Sequence, residues 1–102
     1  DYGIWLATGT AGVTVSGNTI TSNNDFGNAF GLQIDNSSAT VAGNTLSASG
    51  HLVGPTLNYA VRLDTANILP GSSGNKINAG TCGSFGAPSG SAITFTNAGS
   101  CP

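Results

Sequence analysis

The octapeptide VTVSGNTI, residues Val13 to Ile20, sets a pattern that the chain uses three times. It returns as ATVAGNTL at Ala39 to Leu46 and, in a looser form, as PGSSGNKI at Pro70 to Ile77. In the first two copies, alternating apolar and polar residues lead into a Gly-Asn pair. Strict alternation predicts a half-buried strand. The Gly-Asn pair predicts a corner, because glycine tolerates any φ and asparagine adopts the left-handed region readily.

A second repeated block, of the form small, apolar, variable, apolar, precedes each copy of the first and occurs again near the end. The four blocks are GIWL, GLQI, AVRL and AITF, which begin at Gly3, Gly31, Ala60 and Ala92. One unit is therefore about 26 to 32 residues long, and the chain holds about three and a half units. No segment has the i, i+3, i+4 periodicity of an amphipathic helix. The chain is predicted to be all-β, with two or three short strands in each unit.

Units of this kind cannot bury their apolar faces alone, so they are expected to stack as the coils of a solenoid. Asn18, Asn44 and Asn75 occupy the same position in successive units. Stacked at the ~4.8 Å spacing of neighbouring strands, they would form a hydrogen-bonded structural ladder.

The unit length, VTVSGNTI and the preceding GIWL block together resemble the right-handed parallel β-helix of the pectate-lyase-like superfamily. This superfamily includes pectate lyases, polygalacturonases and bacteriophage tailspikes. The resemblance covers almost the whole chain and implies the architecture more than the activity. A leucine-rich repeat is the alternative, because VTVSGNTI also fits that family's L-x-L-x-x-N-x-L core. Sparse leucine, the lack of a helical segment and the second strand block count against it.

The composition excludes several classes of partner. Charged residues make up 6% of the 102 residues, against roughly a quarter in an average domain. Arg62 and Lys76 are the only cations and the net charge is −2, so we expect no nucleic-acid partner. No apolar run approaches the ~18 residues that span a bilayer, so we expect no membrane insertion. We also predict no metal and no cofactor, and the lone His51 is interpreted as an ordinary loop residue.

The only two cysteines, Cys82 and Cys101, allow a single disulfide that would hold the C-terminal end in place. Two buried free thiols in a cytosolic protein are the alternative, although the charge-poor surface also suits an extracellular setting. We expect one β-helix domain over residues 1–102, forming the C-terminal part of a longer chain because no cap precedes the first coil. Residues 78–102 would form a C-terminal loop, the last strand and the disulfide clasp.

Alignment of the four GIWL-type blocks predicts which side chains point away from the core. The outward ladders are predicted to be Trp5, Gln33, Arg62 and Thr94, followed by Ala7, Asp35, Asp64 and Thr96. In this alignment Ile93 and Phe95 of the last block point inward beside Val61 and Leu63. The aromatic residues Tyr2, Phe30 and Tyr59 are expected to stack inside the core.

The outward side chains form a candidate carbohydrate-binding face, made of Trp5, Gln33, Asp35, Arg62 and Asp64. An exposed indole can stack on the apolar face of a sugar ring, although Trp5 could equally pack on a neighbouring element. Asp35 and Asp64 are also candidates for a catalytic pair, because carboxyl groups about 5 to 5.5 Å apart suit a retaining glycosidase. Alternatively, each aspartate only caps the turn that follows it.

The first functional hypothesis is a rigid β-helix module of a phage tailspike or tail-fibre-like protein that attaches to bacterial surface polysaccharide. The alternative is the C-terminal part of a secreted polysaccharide lyase or glycoside hydrolase. A bacterial surface adhesin, or a purely structural repeat, is a second alternative. The chain has no glutamate and four aspartates, too few for the calcium-binding carboxylate cluster of a lyase. The resemblance to tailspikes implies a homotrimer with an extracellular or virion-surface location.

Overall fold

The computed structural model describes residues 1–25, 27–50 and 58–101, and these residues form short strands without a helix. The first coil contains β1 (Tyr2–Leu6), β2 (Val13–Ser16) and β3 (Thr19–Asn23). The second contains β4 (Ala29–Asp35), β5 (Ser38–Ala42) and β6 (Thr45–Ser49), and the third contains β7 (Asn58–Asp64), β8 (Asn67–Ile68) and β9 (Lys76–Ala79). The remaining strands are β10 (Thr81–Phe85), β11 (Ser89–Gly90), β12 (Ile93–Thr94) and β13 (Ser100–Cys101). His51, which we interpreted as a loop residue, lies outside the described residues.

The strands stack into three parallel sheets that run along the axis of a solenoid. The first sheet has the order β1-β4-β7-β10, the second β2-β5-β8-β11 and the third β3-β6-β9. This confirms the predicted all-β parallel solenoid, with about three complete coils. Each of the three complete coils supplies one strand to each sheet, and its backbone groups hydrogen-bond to the neighbouring coils.

The core fills the space between the three sheets. Alternation within the strands sends one apolar side chain after another inward, and the largest of them are fully buried. They are Leu32, Ile34, Val41, Leu46, Val61, Leu63, Ile68 and Ile93. The third strand of each coil contributes Ile20, Leu46 or Ile77, the apolar residue that follows the Gly-Asn pair.

The Gly-Asn pairs form the corner between the second and third sheets. Gly43 has a φ of 67°, in the left-handed region where a side chain would be strained. Next to it, Asn44 lies between Asn18 and Asn75. The Asn18 Nδ2 donates to Asn44 Oδ1 at 3.2 Å, and the Asn44 Nδ2 donates to Asn75 Oδ1 at 3.1 Å. The three amides thus form a ladder that links adjacent coils.

The corner between the first and second sheets also uses positive φ in every coil. The residues there are Gly9, Asn36, Thr65 and Gly86, with φ values of 93°, 40°, 52° and 69°. Their backbones stack, since the Thr65 N–H donates to Phe85 O at 2.9 Å and the Asn36 N–H donates to Asp64 O at 2.8 Å. Thr65 is the least suited of the four, because a β-branched residue at positive φ is strained.

We expect Thr65→Gly to raise the free energy of unfolding by about 1 kcal/mol, because it relieves the left-handed strain of a β-branched residue. Denaturant unfolding measures this change. The matched control is Thr14→Gly, which removes an exposed threonine from the middle of β2 and is expected to destabilise by about 1 kcal/mol. A loss of stability in both variants would contradict the strain at Thr65.

The C-terminal region differs from the predicted alignment. Thr81–Phe85, rather than the AITF block, forms the fourth strand of the first sheet, with Cys82 beside Val61 and Phe85 beside Asp64. The prediction that the AITF block continues this sheet was wrong, since Ile93 and Thr94 pair antiparallel with Ser100–Cys101. Ile93 is nevertheless buried in the core, as predicted. The predicted Cys82–Cys101 disulfide is confirmed, and it joins β10 to β13 with a Cα–Cα distance of 5.8 Å.

Candidate functional site

The outer face of the first sheet carries the predicted candidate residues in register. Trp5 lies beside Gln33, and Gln33 lies beside Arg62. At the carboxyl end of the strands, Asp35 lies beside Asp64. All five side chains therefore lie on one face, as the alternation in the sequence predicts. Gln33 is nevertheless only 1% exposed.

The aromatic residues expected in the core lie on this same outer face. Tyr2 is 49% exposed and stacks on Trp5 with a ring-centroid distance of 5.2 Å. The stack continues from Tyr2 to Phe30 at 5.1 Å and from Phe30 to Tyr59 at 6.0 Å. Phe85 packs edge-on against Tyr59 at 5.8 Å. The prediction of an internal aromatic stack was wrong, and we call these five rings the aromatic strip.

Simple alternation breaks just after the rings in β4 and β7, and we call this break the bend. In β4 a Cβ on Gly31 would lie 3.3 Å from Ser47 O of the third sheet, so Gly31 is turned inward like the buried Leu32, and Phe30 falls on the opposite side. The equivalent pair in β7, Ala60 and Val61, is buried in the same way. The coils approach closely here, since a Cβ on Gly31 would lie 2.6 Å from the carbonyl oxygen of Ala60. Simple alternation assigns Phe30 to the wrong face because it does not include this bend.

A hydrogen-bond network fixes the indole of Trp5. Its Nε1 donates to Asp35 Oδ2 at 2.7 Å, and the Gln33 Nε2 donates to Asp35 Oδ1. Both carboxylate oxygens of Asp35 therefore accept a hydrogen bond from a neutral donor. Because Trp5 is still 54% exposed, this network positions a ring that remains available for contact.

Arg62 lies among the rings rather than in a tight ion pair. Its guanidinium carbon is 4.6 Å from the ring centroid of Phe85 and 5.7 Å from that of Phe30. Cation–π attraction holds the guanidinium against both aromatic faces. Its Nη2 is 4.0 Å from Asp64 Oδ2, which is the limit for a salt bridge. Asp64 also accepts a hydrogen bond of 3.3 Å from Thr65 Oγ1.

A cavity of about 330 Å³ opens beside these groups, at the corner between the first and second sheets. It is lined by Tyr2, Thr8, Gln33, Asp35, Asn36, Arg62, Asp64 and Thr65. Gln33 Oε1 has no hydrogen-bond partner in the described part of the chain, although it is buried. We call this the corner cavity, and its lining is dominated by polar groups.

The described residues contain no group of three or more His, Cys, Asp or Glu side chains placed to hold a metal ion. Across residues 1–25, 27–50 and 58–101, no helix is long and apolar enough to span a membrane.

The sequence analysis assigned three residues of the site, Tyr2, Phe30 and Tyr59, to the core and did not identify Phe85 as part of the site. Comparison of the chain with protein-family models, with curated proteins and with solved structures finds no match.

Proposed function

We propose that this protein is a rigid β-helix module that binds polysaccharide through the outer face of its first sheet. The observation that carries the proposal is the aromatic strip, which runs along the solenoid axis beside the polar corner cavity. Sugars present both apolar C–H faces and hydroxyl edges. A binding face for them therefore needs exposed rings and hydrogen-bonding groups within reach of each other.

The rings of the strip are available for such contacts. Trp5, Tyr2 and Phe85 are the large apolar side chains that are exposed in the described chain, and all three belong to the strip. Contiguous exposed apolar groups with polar residues at their edge are typical of a binding surface. The solenoid backbone holds each ring at a fixed height, so little conformational entropy is lost when a ligand binds.

The hydrogen bonds of Asp35 favour a positioning role. Its two oxygens already accept from Trp5 Nε1 and Gln33 Nε2, so a reaction at either oxygen would compete with the bonds that hold the indole. We therefore assign Asp35 to positioning Trp5. The in-register pairing of Asp35 with Asp64 favours a second candidate, the end of a glycoside hydrolase or lyase, in which the two carboxylates act together.

The proposal extends to the setting of the module. We propose a phage tailspike or tail-fibre-like protein of the pectate-lyase-like superfamily that attaches to bacterial surface polysaccharide from the virion surface or another extracellular location. The disulfide and the charge-poor surface support an oxidising, extracellular setting. The homotrimer rests on the resemblance alone, and light scattering of the purified protein measures it.

We expect Trp5→Ala to weaken polysaccharide binding about tenfold or more, because it removes an exposed ring of the strip. An array of bacterial capsular and O-antigen oligosaccharides identifies a binder, and calorimetry then measures its affinity for each variant. Thr14→Ala, on an exposed position of the second sheet, is the control and should bind normally. Unchanged affinity in Trp5→Ala would contradict the proposal, and release of reducing ends from the bound glycan would favour the hydrolase.

A further inference from the structure

We infer that the corner cavity takes a sugar unit carrying a free ammonium group and disfavours acidic sugars. This inference rests on the proposed function and names the chemistry of the sugar. It follows from the balance of hydrogen-bond donors, acceptors and charges around the cavity.

The lining of the corner cavity carries more negative than positive charge. Asp35 and Asp64 contribute two carboxylates, while Arg62 is the one cation in the lining. Gln33 adds a buried carbonyl oxygen that accepts no hydrogen bond from the described residues. The Gln33 amide cannot be reversed to satisfy this oxygen, because its nitrogen already donates to Asp35. A ligand group that carries positive charge therefore suits this lining better than one that carries negative charge.

The positive charge of Arg62 is already engaged. Its guanidinium lies over Phe85 and Phe30 and also approaches Asp64. An acidic sugar would have to draw Arg62 away from these rings. Its carboxylate would also lie inside the cavity with the carboxylates of Asp35 and Asp64, and these like charges repel one another. The chain as a whole carries a net charge of −2, so its field does not offset this repulsion.

An ammonium group matches the same surroundings. It offers three donors and no acceptor, and it brings the positive charge that the two carboxylates lack. Asp64 is the accessible partner, because its side chain is 43% exposed and its bonds to Thr65 and Arg62 are long. Gln33 also lines the cavity, and the dipole of its buried carbonyl adds to the negative potential that an ammonium group meets there.

The test compares short oligomers of glucosamine, N-acetylglucosamine and galacturonic acid by calorimetry, at a pH where the amine is protonated. We expect the glucosamine oligomer to bind about fivefold more tightly than its acetylated counterpart at low salt, with the acidic oligomer weakest. The preference should shrink as salt is added, because the contact is partly exposed. Asp64→Asn should bring the ratio of the first two affinities close to one.

Asp25→Asn is the matched control, since it removes an equal charge from an exposed turn outside the cavity lining and should retain the preference. Equal or tighter binding of the galacturonic acid oligomer would overturn the inference. So would a preference that survives in Asp64→Asn. Glycan binding without any charge preference would refute this inference and leave the proposed function standing, whereas no binding to any glycan, on the array or in calorimetry, would refute both.

Discussion

Asn44→Ala is expected to lower the free energy of unfolding by about 3 kcal/mol, a large part of the 5 to 15 kcal/mol typical of a domain. Asn44 is buried, and its Nδ2 donates to Val15 O at 2.8 Å and to Asn75 Oδ1. Its Oδ1 accepts from the backbone N–H of Asn18 at 2.9 Å. Alanine would leave the Val15 and Asn18 groups without these partners, because its methyl group cannot hydrogen-bond.

The control for this result is the same substitution at the exposed end of the ladder. Asn18→Ala removes one 3.2 Å side-chain bond to Asn44 but leaves the backbone N–H of residue 18 bonded to Asn44 Oδ1. We expect a loss of at most about 1 kcal/mol there. Guanidinium unfolding of both variants measures the difference. Equal losses at the two positions would mean that burial of the ladder contributes little to stability.

Gly31→Ala is expected to destabilise by about 3 kcal/mol, because the added methyl group has no space. Its Cβ would lie 2.6 Å from Ala60 O and 3.3 Å from Ser47 O, and both are backbone atoms that cannot move independently. Thermal unfolding measures the loss. Since residue 31 also forms the bend that turns Phe30 outward, we expect weaker glycan binding in any fraction that folds.

Gly99→Ala is the matched control, because no atom lies within 4 Å of its Cβ position and its φ is not positive. Its stability should change by less than about 0.5 kcal/mol. A Gly31→Ala variant as stable as Gly99→Ala would show that neighbouring coils separate easily at the bend. The outward placement of the aromatic strip would then lack its structural cause.

The repeats predicted the architecture because each copy contains both the alternation of a strand and the residues of a corner. Alternation in VTVS and ATVA specifies half-buried strands, and the recurring Gly-Asn specifies a corner at the same height in each coil. The same register placed Trp5, Gln33, Asp35, Arg62 and Asp64 on one face. These residues follow ordinary alternation after the bend, so counting by twos from Ile4, Leu32 and Val61 in their own strands assigns them to the outer face.

Three features could not be predicted, and each has a physical reason. Thr81–Phe85 carries Cys82 and Ser84 where other coils have large aliphatic residues, so it lacks the apolar signature of a strand. Phe30 faces outward because the bend at Gly31 reverses the parity that alternation assumes. The side chain of Gln33 points away from the core but is still buried, because the long side chains of Trp5 and Arg62 flank it on the same face.

The aromatic strip has a consequence for how such a surface can change over evolutionary time. Each of the first three coils supplies one ring at the same strand position, namely Tyr2, Phe30 and Tyr59. Because coils contact only their neighbours, duplication of one coil would insert a further ring without repacking the others. The span of glycan that the protein contacts would then scale with repeat number, and avidity could rise by lengthening the solenoid rather than by refining any single residue.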